Sequence, residues 1–163
     1  MMLVLGIGNT LLQDEGIGIH LLQYLEAQYP NLPNVTYLDG GTLSFILASE
    51  IESHTHLLVL DAVELHAPPG TVCCYRNQAM DEFLGTAKRS AHEVGLLDLL
   101  SIARLADALP RERALIGIQY ATFAWGLELT PPVAANIPRA AEQAAQLLQE
   151  WQTDMQFAPA SFY

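Results

Sequence analysis

Short apolar runs that alternate with longer helical patterns constrain the fold of this chain more than any other feature. The runs begin at Leu3, Val35, His56 and Ala114, and a β-branched and aromatic run covers Thr71 to Tyr75. Each run has the length of a strand. The alternation predicts an α/β fold: a single domain with a twisted, largely parallel sheet of about five strands and helices on both faces.

Helical spacing of apolar residues predicts where the helices lie. The expected helices cover Gly16 to Gln28, Ser44 to Glu52, Ala91 to Leu109, and Pro131 to about Trp151. The last one has proline in its first turn, where proline is tolerated. No linker or repeat interrupts the chain, so we expect one domain over residues 1–163. The sequence leaves open whether the tail from Gln152 to Tyr163 packs on the domain or frays.

Composition and charge narrow the classes of function. Apolar residues make up 51% of the 163 residues and the net charge is −11. The acidic balance disfavours a nucleic-acid partner. The N-terminus has no basic segment typical of secretion, and no apolar run approaches the ~20 residues of a membrane span. The adjacent Cys73 and Cys74 indicate no disulfide framework. We therefore expect a cytoplasmic protein, with its oligomeric state left open.

Carboxylates follow the first three predicted strands. Asp14 and Glu15 follow the first, Asp39 the second and Asp61 the third. Ligands of open α/β sheets bind beyond the carboxyl ends of the strands, and carboxylates gathered there repel each other unless a cation lies among them. Each acid also has a structural interpretation: Asp61 as a turn former, Asp14 as a helix cap, and Glu15 as a favourable charge at a helix N-terminus.

Histidine would complete a metal site at this edge. His92 lies at the start of a predicted helix, where its side chain can face a neighbouring loop. Imidazole together with carboxylate suits several divalent metals, nickel among them. His66 is a weaker candidate for lining the site. We expect His20 to be solvated, and His54 and His56 to be loop residues.

Three common motifs are incomplete in this chain. The Gly6-Ile7-Gly8 turn lacks the third glycine of a dinucleotide fingerprint, since Leu11 stands there, and the acids that follow would repel a pyrophosphate. No GxSxG element of a serine hydrolase is present. His92-Glu93 is not followed by the second histidine of a zinc-protease motif.

Four motifs in order carry a more specific signal. They are Gly6-Ile7-Gly8-Asn9 with Asp14-Glu15-Gly16-Ile17-Gly18, then Asp39-Gly40-Gly41-Thr42, then Leu60-Asp61-Ala62, then Ser90-Ala91-His92-Glu93-Val94-Gly95-Leu96. With these motifs the chain resembles the hydrogenase maturation proteases. The similarity covers nearly the whole chain up to the final helix.

The resemblance implies an endopeptidase that trims the C-terminal extension of a nickel-loaded hydrogenase large-subunit precursor. It places a metal-binding triad on Glu15, Asp61 and His92, which we expect to be the catalytic residues. We also expect the Asp39-Gly40-Gly41-Thr42 motif to bind the substrate, with the two glycines permitting close approach of its extended tail. The nickel would come with the substrate, because the family is not known for a catalytic metal of its own. The mechanism, aspartic-type or metal-dependent, is left open.

Two alternatives use the same features. A non-catalytic accessory protein that senses nickel would need the same three ligands. A peptidyl-tRNA hydrolase has a similar strand-turn opening, but tRNA binding requires a basic face. One departure from the family pattern is also present: Gln119 is followed by Tyr120 rather than by proline. The aromatic segment from Tyr120 to Trp125 could change which large subunit is recognised.

Overall fold

The computed structural model describes residues 1–86 and 91–157, with the side chains of 91–94 outside the described set. Its strands are β1 (Met2–Gly6), β2 (Val35–Asp39), β3 (His56–Val63), β4 (Val72–Arg76) and β5 (Glu112–Gln119). They form one sheet in the order β2-β1-β3-β5-β4. Four strands are parallel, and β4 runs antiparallel to β5 at one edge. The predicted largely parallel sheet of about five strands is confirmed.

The helices cover both faces of this sheet, as predicted. They are α1 (Ile17–Gln28), α2 (Leu47–Glu52), α3 (Gln78–Leu84), α4 (Ala91–Leu105), α5 (Pro131–Ala134) and α6 (Ile137–Phe157). A 3-10 helix, Gln13–Gly16, precedes α1. One core cluster joins α1, α5 and α6 to the sheet, and a second joins α2, α3 and α4 to its other face. Within the described residues, none of the helices is long and apolar enough to cross a bilayer.

Strand β3 is buried on both faces because it lies in the middle of the sheet. Leu58 and Leu60 pack in the cluster of α1 and α6, whereas Leu57 and Val59 pack in the cluster of α2 and α4. The expected end of this strand at Asp61 is wrong. Pairing with β5 continues as far as Val63, so Asp61 is a strand residue on the face of Leu57 and Val59.

The helices differ from the expected ones in several bounds. The predicted helix from Pro131 is two helices, because Pro138 has no N–H to donate and is compatible only with a first helical turn. Helix α4 ends at Leu105, α2 begins at Leu47, and α3 was not predicted. Helix α6 continues to Phe157, so the first part of the expected tail is helical. Residues 158–163 lie outside the described ones.

Two histidines expected in loops are buried: His54 lies in the loop before β3 as expected, whereas His56 belongs to the strand. His56 is the first residue of β3, and its ring meets that of Trp151 edge-on at a centroid distance of 5.3 Å. His54 Nδ1 lies 2.7 Å from the carbonyl oxygen of Glu50. Burial lowers the pKa of His56. Both rings therefore contribute to packing at the amino end of β3.

Candidate functional site

Backbone hydrogen bonds gather the loops that follow β1 and β2 at the carboxyl edge of the sheet. The Gly40 N–H donates to the Gly6 carbonyl and the Gly8 N–H to that of Gly41, each at 2.8 Å. The Ile7 N–H donates to the Leu60 carbonyl at 2.9 Å. The predicted strand-end residues are therefore carried to one edge of the sheet, as the sequence indicated.

Glycines let the segment that carries Glu15 lie close against the strand ends. Gly8 has a φ of +144°, and a Cβ added there would overlap the backbone oxygen of Glu15. A Cβ on Gly18 would overlap the carbonyl oxygens of Ile7 and Leu60. The glycines near the N-terminus thus serve close packing of the 3-10 helix and α1 against β1 and β3.

Asp61 and Glu15 reach this edge from different elements. Asp61 is 2% exposed, and its Oδ1 accepts a hydrogen bond of 2.8 Å from the Ala62 N–H. Glu15 is half-buried in the 3-10 helix. Burial of a carboxylate is unfavourable unless donors or a cation compensate it. A divalent cation brought to this edge would supply such compensation.

The third predicted ligand, His92, lies in the first turn of α4, and its side chain is outside the described set. Helix α4 packs closely against the loop after β2 at Gly95, since a Cβ added to Gly95 would lie 3.3 Å from Leu43 Cδ1. The start of α4 therefore lies beside the loop that follows β2. Among the described side chains, no three of His, Cys, Asp or Glu come close enough to hold a metal. The triad stays a prediction.

The Asp39 to Thr42 motif forms an exposed turn next to these elements. Asp39 Oδ1 accepts a hydrogen bond of 2.8 Å from the Gly41 N–H, and Gly41 has a φ of +53°. Asp39 and Thr42 are exposed. Nothing covers Gly41 within 4 Å of an added Cβ. The turn leaves room for an extended chain to approach its backbone.

Asp14 has a role that the sequence did not reveal. It is fully buried, and its carboxylate accepts hydrogen bonds from the backbone N–H groups of Ala121, Thr122 and Thr130 at 2.8, 3.4 and 2.8 Å. The Thr130 hydroxyl donates to it at 2.7 Å. The helix-cap interpretation of Asp14 is wrong, because no side-chain cap bond is present. Asp14 instead ties the loop after β1 to residues 121–130.

The aromatic segment after β5 is held against the same loop. The Gln13 N–H donates to the Gly126 carbonyl at 2.8 Å, and the Gly126 N–H donates to the Leu11 carbonyl at 2.9 Å. The ring centroids of Tyr120 and Phe123 lie 4.2 Å apart. The segment from Tyr120 onward is thus a fixed neighbour of the residues that lead to Glu15.

The remaining histidines divide between the interior and the surface. His20 is half-buried rather than solvated, its Nε2 is enclosed without a hydrogen-bond partner, and burial lowers its pKa. His66 is exposed, and its backbone N–H donates to Glu64 Oε1 at 2.7 Å. That hydrogen bond is the main cause of a lowered pKa at Glu64. His66 acts in a local turn, with no observed link to Glu15 or Asp61.

Comparison with known proteins gives consistent similarities across the chain. A family model described as hydrogenase maturation protease matches residues 19–147. The hydrogenase expression/formation protein HupD of Bradyrhizobium diazoefficiens is 38% identical over 150 residues, covering 91% of this chain and 78% of that protein. The hydrogenase 2 maturation protease of Escherichia coli is also 38% identical, covering 91% of this chain and 90% of that protein.

Solved structures agree with these sequence similarities. The hydrogenase maturating endopeptidase HybD from Escherichia coli superposes with a TM-score of 0.82 at 35% identity, covering 91% of this chain and 92% of that one. The NiFe hydrogenase maturation protease HybD from Thermococcus kodakarensis gives a TM-score of 0.76 at 31% identity, covering 90% and 98%.

Proposed function

Since this chain belongs to the hydrogenase maturation protease family and is an endopeptidase, we propose that it removes the C-terminal extension of a nickel-loaded hydrogenase large-subunit precursor. The observation that carries the proposal is the backbone network that gathers Glu15, the Asp39 turn and β3 at Leu60 on one edge of the sheet. Such an edge is where open α/β sheets bind ligands.

Glu15, Asp61 and His92 would be the nickel-binding and catalytic residues. Two carboxylates from separate elements and an imidazole from the start of α4 form a donor set that suits a divalent metal. A metal held there would polarise the scissile carbonyl or lower the pKa of a bound water. The structure supports this assignment through the location of Glu15 and Asp61 at the same edge.

The nickel would arrive with the precursor rather than reside on the protease. A permanent catalytic site usually has three protein ligands oriented by further hydrogen bonds. The proposed set has no thiolate. Cys73 is on β4, and burial raises the pKa of its thiol to about 11, which favours the neutral form. Loose binding by carboxylates and imidazole would make cleavage conditional on correct nickel insertion.

The exposed turn at Asp39 would receive the extended C-terminal tail. Gly41 leaves the outer side of the turn open to an approaching backbone, and the Thr42 side chain is exposed beside it. Gly40 lets the turn pack closely against Leu5, since a Cβ added there would lie 2.8 Å from Leu5 Cδ1. Asp39 already holds the turn through its bond to the Gly41 N–H. We therefore expect Asp39 to position the substrate rather than to take part in bond cleavage.

The test compares two precursors and follows the mass of the large subunit. We expect the protease, stripped of metal by chelator, to shorten the nickel-loaded precursor and to leave the nickel-free form intact. Glu15→Gln and His92→Ala should abolish cleavage, whereas His66→Ala, at an exposed histidine of the next loop, should retain it.

Three outcomes would contradict parts of the proposal. Equal cleavage of both precursors would remove nickel as the recognition element. Full activity of Glu15→Gln and His92→Ala would remove the proposed site. Tight binding of the nickel-loaded precursor without any shortening would favour the non-catalytic accessory role, which family membership otherwise disfavours.

A further inference from the structure

An exposed apolar surface lies next to the candidate site. Its members come from the loop after β1 and from the segment after β5, and we call it the Trp125 patch. The patch consists of Leu11, Phe123, Trp125 and Leu127, which are 51%, 38%, 81% and 67% exposed. Large apolar side chains grouped on a surface mark interaction sites more often than isolated ones do.

The backbone beneath the patch is fixed. The carboxylate of Asp14 binds the segment at Ala121 and at Thr130, on either side of Trp125. Gly126 is bonded to both Leu11 and Gln13, and it has a φ of +155°. The Ala124 N–H donates to Thr122 Oγ1 at 3.2 Å. A surface held in this way loses little conformational entropy when a partner covers it.

The Trp125 patch and the Asp39 turn lie on either side of the candidate site. In the strand order, β2 and β5 flank β1 and β3, so the Asp39 turn and the Trp125 segment lie on opposite sides of the loops of β1 and β3. Glu15 directly follows Asp14, the anchor of the patch. A substrate that contacts the Asp39 turn and the Trp125 patch together would span the candidate site.

We propose that the Trp125 patch docks the folded body of the large-subunit precursor, with Trp125 and Leu127 as specificity-determining residues. This inference rests on the proposed function. The tail would use the Asp39 turn, which leaves the patch for the body of the same molecule. A second copy of this chain is a poorer occupant, because it would cover the edge that carries Glu15. The proposed contact between the Trp125 patch and the precursor is apolar, although the chain as a whole has a net charge of −11.

Truncation of an aromatic anchor at an interface typically weakens binding strongly. For Trp125→Ala we expect a rise in KM of about 30-fold, which corresponds to about 2 kcal/mol at 1.4 kcal/mol per tenfold. The kcat should stay within about twofold, because the proposal gives Trp125 a role in binding alone. Trp125→Phe should recover most of the loss, and Leu127→Ala should give a smaller increase in KM.

The experiment uses the full-length protein and nickel-loaded precursor purified from cells that lack the protease. It measures KM, kcat and the Kd of the complex. Matched controls are Leu105→Ala and Phe157→Ala, whose side chains are 89% and 80% exposed on other elements. Both controls should leave KM and Kd unchanged. All variants should have the melting temperature of the wild type, because the removed side chains are exposed.

Each result separates this inference from the proposed function. Unchanged KM and Kd in Trp125→Ala would overturn the docking role. Cleavage of the precursor by the wild type would still support the proposed function in that case. A wild type that binds precursor without cutting it would refute the proposed function, and the Kd of Trp125→Ala would still decide the docking role. A wild-type dimer that Trp125→Ala converts to a monomer would identify the patch as a self-interface and overturn the proposal.

Discussion

Replacing Asp14 by asparagine tests whether one buried carboxylate anchors the segment after β5. The Oδ1 atom accepts from the Thr130 N–H, and Oδ2 accepts from the Ala121 and Thr122 N–H groups and from the Thr130 hydroxyl. An asparagine that keeps its oxygen at the Oδ2 position places its NH2 group against the Thr130 N–H. One charge-assisted hydrogen bond is then replaced by two facing donors.

The magnitude follows from these contacts. A hydrogen bond to a charged group contributes roughly 1.5–3 kcal/mol, and the bonds that remain become neutral and therefore weaker. We expect a loss of about 3 kcal/mol in the free energy of unfolding, since the partners are only partly buried and can recruit water. For a domain of this size, the melting temperature should fall by roughly 6–12 °C, at about 2–4 °C per kcal/mol.

Thermal unfolding followed by circular dichroism measures this change. Asp154→Asn is the matched control, because it removes the same charge from an exposed position on α6 and should shift the melting temperature by less than about 1 °C. Faster amide hydrogen exchange at Ala121 and Thr130 in Asp14→Asn would locate the loss. A melting temperature within about 1 °C of the wild type would refute the anchoring role of Asp14.

Three further changes test other parts of the structure. Asp61→Asn should abolish precursor cleavage with a stability loss under about 1 kcal/mol, because the amide oxygen can still accept from the Ala62 N–H; a large drop in melting temperature would favour a structural role. Gly18→Ala should lower the free energy of unfolding, measured with urea, by about 3 kcal/mol or more, because its Cβ would overlap two backbone carbonyl oxygens. Gly41→Ala should lower it by only about 1 kcal/mol, because Gly41 has open space around it and only its positive φ disfavours alanine. The free energy of unfolding should fall as pH drops below about 6.5, because burial lowers the pKa of His56 and the unfolded chain then takes up the proton first. In His56→Gln the melting temperature should decrease less steeply with falling pH, and an identical decrease in the variant and the wild type would contradict this.

Local patterns made the sheet predictable. The run from His56 to Leu60 is apolar after its first residue, which is typical of a central strand, and β3 is buried along its whole length. The break between α5 and α6 was missed, although Pro138 is incompatible with the interior of a helix and could have indicated it. The extension of β3 through Asp61 was not readable, because only pairing with β5 carries a polar residue inside the strand.

The contacts around the candidate site depend on distant parts of the chain. Asp14 precedes its partner Thr130 by 116 positions, and nothing in either local sequence indicates the other. Burial of His20 and His56 likewise results from packing against elements far along the chain. The strand-end carboxylates were predictable because parallel strands end at the same edge, whereas the identity of each acid's partners required the tertiary structure.

The strand order has a consequence for synthesis of the protein. The last strand, β5, lies between β3 and β4, which both leave the ribosome before it. Until residues 112–119 are available, β3 has an open edge that consists of residues buried in the finished fold. Open apolar edges pair readily with other chains and lead to aggregation. Nascent chains that stall before residue 112 should therefore depend on chaperones, and the dependence should end only when both β5 and the covering helix α6 are available.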